Sequence, residues 1–380
     1  MNDDPHLREK NPSEEDKRTL SQISMYARNL LVRNASLFVF VVGIYGHFAR
    51  IYRFDHAGGI ASPSFNYTSN PEVLGEFYWR LVHPRGVTKV TELGTRYIVG
   101  SDTTVWPTTD DEQQRVNDVF RNKYSFKEIN EMTKSSSSIQ ARLGDDESQL
   151  RTFVTLGEPK YISTGLFSRA TRVWSVLPLP LHINERVEVL ALKDTWRARH
   201  RDPEVHNYNH IYKNKSDEFE GLAKCCGSVD LGDEIPDGHR TISMDFTNPR
   251  TDLNNRNHMR ILLTPVGKRL DEFTSTHSLV EGIRDAIRGT QSEYDTAIQR
   301  TEVHSGLQIA FDHNVLHRDV SFGNVMLIDN YSIKGYLQDF DYSTFIGDCK
   351  GTKHAEEIDK ELKDITVRIS RHHSEFCIRS

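Results

Sequence analysis

The spacing of apolar side chains changes several times along the chain, and each change marks an expected element. Residues 1–21 carry Asn, Asp, Pro, Glu and Lys with few apolar anchors, which predicts a disordered tail. From Ile23 onward, Ile23, Tyr26, Ala27, Leu30 and Leu31 recur at helical spacing and predict an amphipathic helix. Residues 37–45 are rich in Val, Phe and Ile, and 48–54 alternate. The Tyr45-Gly46 pair between them predicts a turn, and His56-Ala57-Gly58-Gly59 a second one. This pattern predicts a small α+β module over 22–125. The stretch 134–148 is Ser-rich and then acidic, so 126–150 reads as a linker. Strand-like runs at 161–167, 172–177, 187–192 and 259–263, with a helix expected within 204–219, make 151–265 strand-rich. Val280, Ile283 and Ile287, then the apolar group at 307–311, keep helical spacing and make 266–345 helix-rich. Residues 346–380 are polar and His-rich.

Composition narrows the function classes. The 380 residues are 37% hydrophobic and 27% charged, the balance of a globular protein with two or three domains. The net charge of −6, with no polybasic block, argues against a nucleic-acid surface. The most apolar run, 35–45, is about half the ~20 residues a membrane helix needs, so no membrane partner is expected. Residues 1–17 are too polar for a secretory signal. Cys225, Cys226, Cys349 and Cys377 lack metal-ligand spacing, which suits a reducing compartment, cytoplasmic or nuclear. His206, His210, His372 and His373 have no third ligand in sight and read as solvated.

The candidate chemistry sits in the second half. Leu316-His317-Arg318-Asp319-Val320-Ser321-Phe322-Gly323-Asn324 places an acid and an amide five residues apart, with an apolar strand following at 325–328. Phosphoryl transfer needs a carboxylate to accept or orient the nucleophile's proton and an oxygen ligand for Mg2+ beside it. Asp319 supplies the first and Asn324 the second; His317 is expected to brace the loop from a buried position. Tyr336-Leu337-Gln338-Asp339-Phe340-Asp341 comes next, a strand ending in an acid suited to chelating the same metal. Upstream, Val189-Leu190-Ala191-Leu192-Lys193 ends a strand-like run in a lysine suited to the α- and β-phosphates. Glu204 is its expected helical partner, with Glu218 as the alternative. A phosphate loop is expected between the first two strands of the strand-rich segment 151–265. The stretch there, from Gly165 through Ser168 and Arg169 to Trp174, retains one glycine, and backbone N–H groups near Ser168 are the expected phosphate contacts.

The chain resembles the fungal-type protein kinase family. The resemblance rests on 169–174, Leu192-Lys193-Asp194-Thr195-Trp196-Arg197, His317 to Asn324 and Asp339-Phe340-Asp341, with a further match at 54–62. It runs from about Ile23 to about Arg368. It implies an α+β, two-lobed protein-kinase-like fold: an antiparallel β N-lobe over 151–265 and a helical C-lobe beginning at 266. It also implies a protein kinase using ATP and Mg2+ on a protein hydroxyl, with Asp319 as proton acceptor, Lys193 on the phosphates, and Asn324 and Asp339 on the metal. Arg318 would pair with a phosphorylated residue, Ser343, Thr344 or Thr352 being candidates. Only 41 residues follow Asp339, where that pattern expects roughly 100 or more, so an incomplete C-lobe ending in a divergent tail is expected. Two other readings stand beside the kinase: a pseudokinase that binds nucleotide or protein, and a small-molecule phosphotransferase, to which an Asp-Phe-Asp ending is also suited.

Overall fold

A computed structural model describes residues 14–34, 36–83, 99–122, 124–144, 150–179, 188–213, 221–245, 255–287, 306–329 and 331–345. The expected tail at 346–380, Glu218 and Thr352 lie outside them. The chain divides into two compact units, one from 1–188, 192–201 and 228–261, the other from 189–191, 202–227 and 262–380.

The first unit opens with α1 (Glu14–Asn34). Residues 14–21, expected to be disordered, are helical. Glu, Lys and Arg are good helix formers, and Lys17 pairs with Glu14 across one turn at 2.7 Å. The helix can therefore extend outward from its anchored half. Its buried stripe is a single i, i+4 row, Ile23, Ala27 and Leu31; Tyr26 and Leu30, expected in the stripe, are 48% and 41% exposed. That row packs on β1 (Phe38–Tyr45) and β2 (Phe48–Asp55) through Val39, Tyr45, Tyr52 and Phe54. The hairpin turns at Gly46, whose φ of 61° suits a residue without Cβ. Both β3 (Gly59–Ala61) and β4 (Phe65–Asn66) pair with β2. Helix α2 (Pro71–Val82) comes after them.

Next come β5 (Val105–Pro107), α3 (Asp110–Phe120) and α4 (Phe126–Thr133). Each of these two helices is opened by a capping box, Thr109 with Glu112 and Ser125 with Glu128. The remaining strands are β6 (Ser137–Ala141), β7 (Arg151–Thr155), β8 (Tyr161–Ile162), β9 (Arg172–Leu179) and β10 (Leu190–Ala198). After α5 (Glu204–Tyr212), which belongs to the other unit, come β11 (Lys224–Asp230), the short α6 (Leu231–Glu234) and α7 (Pro236–His239), and β12 (Arg256–Thr264). The sheet runs in the order β11-β12-β10-β9-β7-β6-β5, with β8 beside β9.

Two expectations change here. The Ser-rich stretch read as a linker contains β6, which pairs with β5 on one side and β7 on the other. Serine is tolerated inside because its hydroxyl is spent: buried Ser138 donates to Glu112 at 2.8 Å, while Ile139 fills the core. Because β5 and β7 share this sheet, segment 22–125 and strands β7, β8 and β9 belong to one unit. The run at 161–167 is a strand only at Tyr161–Ile162. Beyond it, Ser168 donates to the Gly165 carbonyl and turns the chain.

The second unit holds α5, β13 (Lys268–Arg269), α8 (Thr276–Ile287), α9 (Gly306–Asp312), β14 (Val315–Leu316), β15 (Val325–Leu327), β16 (Gly335–Leu337) and β17 (Thr344–Phe345). Helix α8 lies against β16 at a glycine pair: a Cβ on Gly335 would collide with the Gly282 carbonyl oxygen. Strand β15 pairs antiparallel with both β13 and β16, and β14 pairs with β17. This pairing matters for the site. Loop 317–324 joins β14 to β15, and loop 338–343 joins β16 to β17. Both ends of the two loops are therefore zipped together. Among the described residues no helix is long and apolar enough to cross a membrane.

Candidate active site

The two zipped loops, both in the second unit, carry Asp319 and Asp339, two of the acids singled out from the sequence. The ladder continues past β15 and β16, with the Gln338 N–H donating to the Asn324 carbonyl at 2.9 Å. His317 is fully buried and braces both loops, as its sequence position suggests. Its Nδ1 accepts from the Asp319 N–H at 3.3 Å, so its proton sits on Nε2, which donates to the Gln338 carbonyl at 3.0 Å. The Asn324 amide donates to the Asp319 carbonyl at 2.7 Å and to its carboxylate at 3.3 Å. Its Oδ1 accepts nothing among the described residues and remains available as a hard oxygen donor.

Asp339 takes a left-handed φ of 66° and Arg318 one of 65°, conformations that side chains with a Cβ adopt at a cost. Helix α5 holds the Asp339 segment in place. Glu204, buried at the first position of α5, accepts from the Phe340 N–H at 2.9 Å. Carboxylate oxygens of Glu204, Asp339 and Asp341 lie within 4.8 Å of one another. The Phe340 ring packs edge-on between Tyr208, at 5.0 Å, and His317, at 4.6 Å. Burial first, then the Glu204 and Asp339 carboxylates, push the Tyr208 phenol pKa well up.

Of the residues singled out from the sequence, Glu204, Arg318, Asp319, Asn324 and Asp339 thus occupy one unit. Lys193, Gly165 and Ser168 belong to the other. Lys193 is buried on β10. Ser168 spends its hydroxyl on the Gly165 carbonyl at 2.8 Å and accepts from the Ala170 N–H at 3.1 Å, closing its loop on itself. Arg318 is exposed and makes no ion pair among the described residues. Ser343, a candidate phosphate acceptor, donates its hydroxyl to the His317 carbonyl at 3.1 Å. His206 and His210 are exposed, as expected.

Sequence reading missed a second polar centre, in the first unit. Arg260, fully buried on β12, donates to Asp102 at 2.5 Å, to Asp194 at 2.8 Å, and to Thr104 and the Gln140 carbonyl, both at 2.7 Å. His258 pairs with Asp194 at 2.7 Å and with His239 at 2.8 Å. The rings of His56, Trp196, His258 and His239 stack in a row. Donor atoms of Asp102, His239 and His258 lie within 4.8 Å, close enough to share a cation. Yet both Asp102 oxygens are taken, by Thr104 and by Arg260, and a dication there would face the guanidinium. The cluster is therefore a keystone of the sheet: one strand-borne cation tying β12 to β10, β6 and the loop at Asp102. A smaller hub lies at Asp55, which receives bonds from Arg53, Ala57, Gly58, Ile242 and Ser243. Burial works to raise the Asp55 pKa, and the hydrogen bonds outweigh it.

This centre makes stability depend on pH. Burial, with the neighbouring His258, pushes His239 down to about 4 and His56 down to about 3, against 6.5 for a free imidazole. The unfolded chain therefore binds more protons below pH 6.5, and folding stability falls as pH drops from about 6.5 toward 3–4. The lowered carboxylates Asp55, Asp102 and Asp194 extend the loss in the same direction at more acid pH. Denaturant unfolding followed from pH 7 to pH 4 is expected to show a loss of a few kcal/mol; a flat profile contradicts it.

A family model for fungal protein kinases matches residues 5–360, so the chain belongs to that family. Its fold is accordingly α+β and kinase-like. No curated protein matches significantly. Among solved structures, that of vaccinia related kinase 3 is similar with a TM-score of 0.30 and 11% identity over 54% of this chain. The match spans about half of that structure's length, 51%, and a likeness this slight carries no functional weight.

Proposed function

We propose that the chain is a kinase that transfers the γ-phosphate of ATP, with Mg2+, to a serine or threonine hydroxyl of a protein. The observation that supports it most is the zipped pair of loops, on which Asp319, Asn324 and Asp339 all lie. Asp319 accepts or orients the proton of the attacking hydroxyl, and the Asn324 amide keeps its carboxylate turned to that task. Asn324 Oδ1 and Asp339 are the oxygen donors that suit Mg2+, a hard cation. Bound Mg2+ would neutralise charge on the phosphate oxygens. Asp341 stands where the kinase motif carries Gly and adds a third carboxylate beside Asp339 and Glu204. Lys193 is assigned to the phosphates by the family pattern alone.

Transfer of radiolabel from ATP to bystander or self protein, compared between wild type and Asp319→Asn, tests the reading. Transfer lowered on the order of 100-fold or more by the substitution is expected, in line with removal of a general base. Equal transfer, or none in either protein, removes the catalytic claim. The self-closed Gly165–Ser168 loop favours a second reading, a nucleotide-binding pseudokinase. Mg2+-dependent ATP binding without any transfer selects it.

A further inference from the structure

We propose that Tyr208 is a positioning residue for the metal-binding carboxylate of Asp339, acting through its phenol oxygen on the Asp339 backbone; the proposal rests on Asp339 being a metal ligand. Tyr208 is fully buried on α5. Its hydroxyl oxygen accepts from the Asp339 N–H at 3.3 Å, while its ring packs edge-on against Phe340. The same helix face supplies two more contacts. Glu204 accepts from the Phe340 N–H at 2.9 Å, and the Asn207 amide donates to the Phe340 carbonyl at 3.3 Å. Positions 204, 207 and 208 are spaced i, i+3 and i+4, so one turn of helix reaches all three points.

These contacts hold a residue in a costly backbone conformation. Asp339 sits in a left-handed conformation, which a residue with a Cβ keeps only where its surroundings impose it. A phenylalanine at 208 would keep the ring packing on Phe340 but take away the phenol oxygen that the half-buried Asp339 N–H donates to, and a lost hydrogen bond of this kind is costly. A metal ligand displaced by a fraction of an ångström loses affinity, and loss of a supporting hydrogen bond typically weakens metal sites 10–100-fold.

The test compares wild type, Tyr208→Phe and Tyr208→Leu. The first readout is amide hydrogen exchange at Asp339 without ligand. The second is the Mg2+ concentration that half-saturates ATP-induced thermal stabilisation, with ATP binding in EDTA as reference. Tyr208→Phe keeps the ring and is expected to unfold cooperatively. Its Asp339 amide is expected to exchange at least about 10-fold faster, and its Mg2+ requirement to rise roughly 10-fold, with ATP binding in EDTA unchanged. Faster exchange with an unaltered Mg2+ requirement reduces the hydroxyl to a structural role and overturns the proposal. So does impairment confined to Tyr208→Leu, which assigns the effect to packing. A wild type whose ATP response ignores Mg2+ overturns the metal role of Asp339 and this proposal together. A wild type that responds beside a Phe variant that responds equally overturns the proposal alone.

Discussion

Asp339→Ala will remove the Mg2+-dependent part of ATP binding, whereas Asp319→Asn will leave most of it in place. The two acids belong to the same pair of zipped loops but stand in different positions. Asp319 is tied to Asn324 through its carboxylate and main chain, and its assigned partner is the proton of the acceptor hydroxyl. Asp339 is assigned to the cation that offsets the phosphate charge, and losing a direct ligand is expected to cost at least the 10–100-fold typical of second-layer substitutions. Ligand at 100 times its Kd stabilises a protein by about 2.7 kcal/mol. A 100-fold weaker variant at that concentration retains only about 0.4 kcal/mol. Thermal unfolding with and without Mg2+ at fixed ATP reads this difference directly. Equal ATP affinities in the two variants would contradict the assignment of metal to Asp339 and proton to Asp319.

Arg260→Met is expected to destabilise the first unit by about 3–5 kcal/mol, the loss typical of removing one partner from a buried ion pair. The guanidinium satisfies two buried carboxylates, a threonine hydroxyl and a backbone carbonyl, and is itself fully buried. Met fills comparable volume, so the loss comes from leaving Asp102 and Asp194 buried without their cation. Arg260 and His258 act in that order on Asp102, after the opposing effect of burial, and hold its carboxyl below the usual range. Adding Asp102→Asn to Arg260→Met removes one stranded charge and is expected to recover part of the stability. Urea unfolding of the three proteins checks both statements. A loss under about 1 kcal/mol for Arg260→Met, within the range of exposed ion pairs, would remove the keystone role.

How much of this was legible in the sequence depended on whether a signal was local. The hairpin of β1 and β2 was, because Val, Phe and Ile runs flank a Gly that can take positive φ. The brace formed by His317 was legible from its place beside Asp319. That Asp319, Asn324 and Asp339 lie on neighbouring loops was legible because each loop adjoins a short apolar strand, and those strands pair. Strand β6 was not, since Ser135 to Ser138 has the composition of a loop; what makes 137–141 a strand is distant pairing with β5 and β7. The Arg260 centre was invisible for the same reason. Asp102, Asp194, His239, His258 and Arg260 are scattered over many elements, and no local period links them. One hint was present: Arg260 interrupts an apolar strand, and a charge in such a place needs a buried partner. Tyr208 was hidden inside a polar, His-rich helix, where its burial depends on Phe340 more than 130 residues away.

The central claim is that the loops at 317–324 and 338–343 hold a nucleotide through a cation. The direct measurement is the melting temperature of the wild-type chain titrated with ATP, once with Mg2+ and once with EDTA. A rise that grows with ATP and depends on Mg2+ is the predicted result. A melting temperature that stays put up to millimolar MgATP would contradict it.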